Sequence, residues 1–190
     1  LIIKRYANGK VSRSIHDGIE SIEGIYGLGL ELEQGINIII TGGTGVLPFL
    51  DLFDLLLKKA ISELYSRHQN DGKYDPYSVN YCNVLKGMSF KLYASFATAE
   101  EFASYQWLID LHRISKQHNL GLFELTLRVP KEAQLPAEVN RFESLIDQEF
   151  LHSRIPSREV SKVYVCGPPA MNTNLHQLLT SMNYSSIMVV

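Results

Sequence analysis

Two short stretches of this chain combine residue types that can hold a ligand. Residues 36–48 read Ile-Asn-Ile-Ile-Ile-Thr-Gly-Gly-Thr-Gly-Val-Leu-Pro, and residues 166–171 read Cys-Gly-Pro-Pro-Ala-Met. In the first, a β-branched run gives way to Gly42, Gly43, Thr44 and Gly45, and an apolar-patterned segment from Phe49 to Tyr65 comes next. A strand buried on both faces of a parallel sheet carries such a run, and glycines directly after it mark a turn where a ligand can touch backbone. The bare N–H groups and the positive end of a helix dipole there favour phosphate. The same glycines equally suit a tight strand-to-helix turn with no ligand, so this turn alone decides nothing. In the second stretch, Gly167-Pro168-Pro169 breaks a strand and leaves the polarisable thiol of Cys166 at its end.

The elements that must position these turns alternate along the chain. Strands are expected at Ile36–Thr41, Phe90–Ala97, Leu122–Val129, Lys162–Cys166 and Ser186–Val190, and helices at about 47–67, 99–118, 137–151 and 170–182. Pro48 is tolerated in the opening turn of the first helix, where its missing N–H has no partner to lose. Thr98 with Glu101 forms a capping box before the second, and Val139, Phe142, Leu145, Ile146 and Phe150 give the third its apolar side. This alternation predicts an α/β fold, a doubly wound five-stranded parallel sheet in the order 3-2-1-4-5. Ligands of such sheets bind beyond the carboxyl ends of the strands where the order reverses, here between the first and fourth strands. Those are the strands that end in the two unusual turns.

Residues 1–33 differ in character. Leu1–Tyr6 and Val11–Ile15 are strand-like, Asn8-Gly9 is a turn, and no long helical pattern occurs before Gly35. A β-rich domain remnant is expected at 1–33 and the α/β domain at 34–190. The chain opens without Met inside a strand-like pattern, as a piece of something longer would. Residues 68–87, with Tyr74, Tyr77 and Tyr81, read as an insertion, either mobile or used for docking.

Bulk properties exclude several classes. A formal net charge of -2, with no basic stripe, gives no electrostatic footprint for nucleic acid. The apolar runs fall short of a membrane span, no signal peptide is evident, and two cysteines, Cys82 and Cys166, make no disulfide framework. A cytoplasmic segment, or one at the cytosolic face of a membrane, is expected. His112 and His118 stand six apart on one predicted helix with no third ligand, so no metal site is expected. Gly-x-Ser-x-Gly and the Lys-Ser/Thr of a P-loop are absent, which removes hydrolase and NTPase readings.

Taken together, Gly42-Gly43-Thr44-Gly45-Val46-Leu47-Pro48 and Cys166-Gly167-Pro168-Pro169-Ala170-Met171 resemble the paired signatures of the ferredoxin-NADP reductase superfamily, particularly its cytochrome b5 reductase and ferric reductase branches. Ile3-Lys4-Arg5-Tyr6, Gly9-Lys10-Val11-Ser12 and Gly24-Ile25-Tyr26-Gly27 are similar to the later strands of that family's flavin-binding barrel. The resemblance implies hydride transfer from NADH or NADPH to FAD, with electrons passing on to a haem protein, a ferric species or another one-electron acceptor. It gives Gly9, Lys10, Val11 and Ser12 the flavin pyrophosphate, Gly42, Gly43, Thr44, Gly45 and Pro48 the dinucleotide phosphates, and Cys166, Gly167, Pro168 and Pro169 the nicotinamide side. Cys166 is the candidate catalytic residue, a small soft group beside the ring, and Met171 is expected to pack under the same loop. Thr98 and Arg128 would reach the adenosine end.

Three departures stand out. Leu47 replaces the usual Thr, the Arg-x-Tyr-Ser/Thr flavin signature is missing, and the terminus Ile187-Met188-Val189-Val190 carries no aromatic. FAD binding by this segment alone is therefore expected to be poor, and a redox-inactive dinucleotide-binding or regulatory module is the alternative. Cofactor choice is divided: Glu100 and Glu101 favour a free ribose hydroxyl, whereas Arg128 and Lys131 favour a 2′-phosphate and tip the reading toward NADPH tolerance. A solvated surface arginine is the rival reading of Arg128. No membrane contact is expected from this segment, although a full-length parent of this kind can be membrane-attached.

Overall fold

The computed structural model describes residues 29–68, 85–98, 101, 106–155 and 157–190. The chain divides into two compact units, 1–31 and 32–190, and the second holds the sheet. Gly9, Lys10, Val11 and Ser12, Cys82 and the tyrosines of the 68–87 segment lie outside the described residues.

The β-branched run forms β1, Gly35–Gly42, at the middle of the sheet. A 3-10 helix, Gly43–Phe49, leads into α1, Leu50–His68. Next come β2, Met88–Ser95, α2, Gln106–Gln117, and β3, Phe123–Arg128. A two-residue strand β4, Asn140–Arg141, precedes α3, Gln148–Arg154. Finally β5, Val160–Cys166, α4, Pro169–Ser181, and β6, Ile187–Val189, complete the unit. The order is β4-β3-β2-β1-β5-β6 and every pairing is parallel. The doubly wound α/β reading thus holds, with the reversal between β1 and β5.

Alternation along β1 divides the core. Ile38 and Ile40 pack with Val163, Val165, Leu175, Leu179 and Phe150 on the α3/α4 side. Ile39 is wholly buried on the other side, beside Tyr164, whose ring meets Phe49 edge-on at 6.0 Å. There Phe53 of α1 meets Phe123 of β3 at 5.5 Å and Trp107 of α2 at 6.0 Å. Being covered on both faces is what requires the uninterrupted apolar run of the central strand.

Four expectations change. The sheet has six strands because β4 adds to the β3 edge. Residues 137–151 do not form one helix: Phe142 N–H donates to the Leu127 carbonyl at 3.0 Å, as part of the β4 pairing. The helix starts only where the Asp147 carboxylate accepts the Phe150 N–H at 2.9 Å. Leu145, expected on the apolar side of that helix, is 71% exposed. The α-helix after β1 begins at Leu50 rather than Leu47, since Pro48, inside the 3-10 helix, has no N–H for an α-type bond. Lastly, β2 runs from Met88 to Ser95 instead of Phe90 to Ala97.

The β3 edge is completed by side chains of α2. Ser115 Oγ accepts the N–H groups of Leu122 (3.1 Å) and Phe123 (3.0 Å), and His112 Nδ1 accepts that of Leu125 at 3.1 Å. His112 Nε2 therefore carries the proton and donates to the Glu138 carbonyl at 3.0 Å. Both ring nitrogens are engaged, and among the described residues no cluster suited to a metal ion occurs. No described helix is long and apolar enough to cross a membrane. Ser115→Ala leaves two buried N–H groups without their acceptor, so urea unfolding should show a loss of about 1–3 kcal/mol. Unchanged stability would mean that water or another acceptor replaces the hydroxyl.

Candidate functional site

The site begins with register. In the β1–β5 pairing Thr41 stands opposite Cys166, so both strands end at the same level and their turns emerge side by side. Gly43 sits at φ 55°, a left-handed conformation that a side chain disfavours. At Gly45 the constraint is contact: a Cβ there would lie 2.5 Å from the Cys166 carbonyl carbon, closer still to its oxygen, and 3.0 Å from Gly167 N. Main chain thus rests on main chain. Val46 and Phe49 are fully buried and hold the 3-10 helix down, while Thr44 and Leu47 are half-buried and Pro48 is exposed.

Across the gap, Gly167 is half-buried, Pro168 and Pro169 are exposed, and Met171 is half-buried in the first turn of α4. No side chain caps either helical start, at Gly42 or at Pro168. The first-turn N–H groups of such helices point out of the N-terminal end, toward the space above the two turns. Two buried side-chain oxygens close by in the chain, Thr41 Oγ1 and Asn172 Oδ1, have no hydrogen-bond partner among the described residues. Burial pushes the Cys166 thiol up from its ordinary value, so it is a neutral group at physiological pH.

Beside the turns, on the α4 side, lies a cavity of about 340 Å³. Ser95 and Arg128 enter from the strand ends, Phe142 and Ile146 from the β4–α3 loop, and Met171 and Leu175 from α4. Leu145 lies at its rim and Asn174 adds an amide. Arg128 Nη1 donates to Ser95 Oγ at 3.4 Å and its Nε to the Glu143 carbonyl at 3.3 Å. These partners are neutral, so they orient the guanidinium without cancelling its charge. A second hollow of about 360 Å³ lies on its other side, reaching Lys131, whose ammonium is 3.9 Å from the Glu143 carboxylate. Two residues along β2 from Ser95, the Tyr93 phenol is pushed up to about 12, chiefly by burial and then by the Glu124 charge. It too is neutral.

The structure brings Gly42, Gly45, Cys166, Gly167, Pro168 and Met171 into one group and puts Arg128 at the neighbouring cavity. Thr98 does not line that cavity: its hydroxyl accepts the Glu101 N–H at 3.1 Å as a helix cap. Glu101 in turn accepts the Ala97 N–H at 3.1 Å, one residue before the position a capping box would use. Sequence reasoning missed Ser95, Phe142, Ile146 and Leu175. Ser95 was accessible in principle, because it pairs with Arg128 in the β2–β3 register and so shares its face. The loop residues were concealed by the expected helix.

No protein-family model and no curated protein matches the sequence. Among solved structures, the chain is similar to the Amycolatopsis cytochrome P450 reductase GcoB, with 17% identity and a TM-score of 0.48 over 82% of this chain. It is also similar to the flavohem-like FAD/NAD-binding domain of nitric oxide dioxygenase from Vibrio cholerae O1 biovar El Tor, with 15% identity and a TM-score of 0.48 over 96%. The alignments span 37% and 65% of those two chains.

Because burial disfavours the thiolate, alkylation of Cys166 should have its pH midpoint above that of a free thiol. The measurement is iodoacetamide labelling against pH in a Cys82→Ser background. A midpoint at or below that of a free thiol would contradict the burial of Cys166.

Proposed function

We propose that this chain is the dinucleotide-binding part of an NAD(P)H-dependent flavoprotein reductase. The observation that carries the proposal is the backbone contact between the Gly43–Gly45 turn and the Cys166–Gly167 turn at the sheet's reversal point. Two helical starts without capping side chains meet there, which favours a bridging diphosphate. The resemblance of both turns to the reductase signatures supports the same reading.

Each residue then has a physical task. The Gly43–Gly45 backbone and the start of α4 hold the diphosphate, and Thr44 adds a hydroxyl. The cavity beside Met171 and Leu175 offers apolar walls for an adenine. Arg128, held by Ser95, places a cation where a 2′-phosphate would stand, which favours NADPH over NADH. Cys166, small and uncharged, lets a nicotinamide come close at the mouth of the crevice and adds no fixed charge there. When bound, the flavin supplies hydride acceptance and onward electron transfer. The onward acceptor we propose is a haem or ferric species, and the module would work in the cytoplasm or at the cytosolic face of a membrane.

The full-length protein, purified under air, should be yellow and should bleach with NADPH or NADH under anaerobic conditions. A colourless protein that binds no FAD would sink the reductase reading, and dinucleotide binding without bleaching would leave only a redox-inactive binding module. Cys166→Ala should slow flavin reduction more than it weakens dinucleotide binding. Arg128→Ala should raise the NADPH Kd by about tenfold while leaving NADH within about twofold, since a charge-assisted bond to phosphate is the interaction removed. Equal effects on the two dinucleotides would place the 2′-phosphate elsewhere.

A further inference from the structure

We propose that Met171 is a positioning residue: its thioether, wedged between Gly42 and Gly167, sets the gap between the two turns and so fixes where Cys166 stands against the Gly43–Gly45 backbone. The functional half of this inference rests on the dinucleotide reading above.

The four glycines of the paired turns are glycine for different reasons. Gly43 has a positive φ, and Gly45 faces the main chain of Cys166. Gly42 and Gly167 are limited first by a side chain. Gly42 is extended at φ -125°, and Gly167 is not among the positive-φ residues. A methyl group at Gly42 would lie 2.9 Å from Met171 Sδ, with Pro168 Cδ next at 3.1 Å. At Gly167 it would lie 2.5 Å from Met171 Cε and 3.0 Å from Sδ, with Gly42 N next at 3.2 Å. One side chain, anchored on α4, thus fills the volume that side chains on both turns would otherwise occupy. An unbranched, polarisable thioether suits that irregular slot. Met171 also lines the cavity with Leu175, so the wedge touches the turns and the adenosine space together.

If the glycines served only to cradle phosphate, substitutions at Gly45 and Gly167 would respond alike to changes at Met171; the wedge requires them to differ. A clash with a side chain can be relieved by shortening that side chain, whereas a clash with main chain cannot. Gly167→Ala should weaken NADPH binding by about tenfold, an overpacking loss, and adding Met171→Ala should bring it back to within about threefold of Met171→Ala alone. Gly45→Ala should weaken binding as much or more, and Met171→Ala should not restore it. Met171→Ala alone should speed alkylation of Cys166 and slow flavin reduction in the full-length protein more than it raises the NADPH Kd, whereas Met171→Leu should restore both.

If Gly167→Ala gains nothing from Met171→Ala, or if Gly45→Ala is rescued equally, the wedge is overturned. The thermal midpoints of the same variants separate the two proposals. Recovery of the midpoint in Gly167→Ala/Met171→Ala, in a protein that binds neither NADPH nor NADH, sinks the dinucleotide reading and upholds the wedge. No recovery, in a protein that binds NADPH, overturns the wedge alone.

Discussion

The contact between the Gly45 backbone and the Cys166 carbonyl is the constraint on which the site depends. It arises because β1 and β5, far apart in the chain, are neighbours in the sheet and end level, Thr41 against Cys166. With the strands fixed by burial of both sheet faces, the turns emerge side by side. Only a residue without a Cβ allows them to meet. Packing of the core therefore brings the turns together, with main chain against main chain at Gly45 and the Met171 side chain against Gly42 and Gly167.

That arrangement also determines the electrostatics. The Cys166 thiol at the turn adds no fixed charge: it is protonated at physiological pH, and burial pushes it further up. The positive character comes from main-chain dipoles at the start of α4 and from Arg128, held by uncharged partners. Fixed dipoles and one oriented guanidinium need little reorganisation when an anion arrives, which is why an overall charge of -2 does not argue against an anionic ligand.

The central strands were legible in the sequence because β1 and β5 are apolar runs that end in glycine and proline. Their two turns were legible because glycine, proline and cysteine are distinctive where a strand ends. The β4–α3 segment was not, since Val139, Phe142, Ile146 and Phe150 are spaced as on a helix yet reach the interior from the flanks of a short strand, a loop and a shorter helix. Asp147 was the missed signal: an N-cap residue in the middle of a supposed helix marks a start, not an interior. Ser115 and His112 illustrate a different limit, because their hydrogen bonds to the β3 edge depend on tertiary placement that no local pattern encodes.

Leu47 is where the turn departs most from the reductase pattern, and the structure gives its replacement a physical context. The residue is half-buried in the 3-10 helix, between the buried pair Val46 and Phe49 and the exposed Pro48. A hydroxyl at this position would be an extra donor in the turn; a leucine offers none. Because the α-helix starts only at Leu50, the polar contacts available above β1 are those of the Gly43–Gly45 backbone and Thr44, not a full α-helical turn. On the function proposed above, the second helical start, on α4, would carry a larger share of the diphosphate. Met171, in the first turn of α4, is the side chain proposed to set the gap between that start and the Gly42–Gly45 turn.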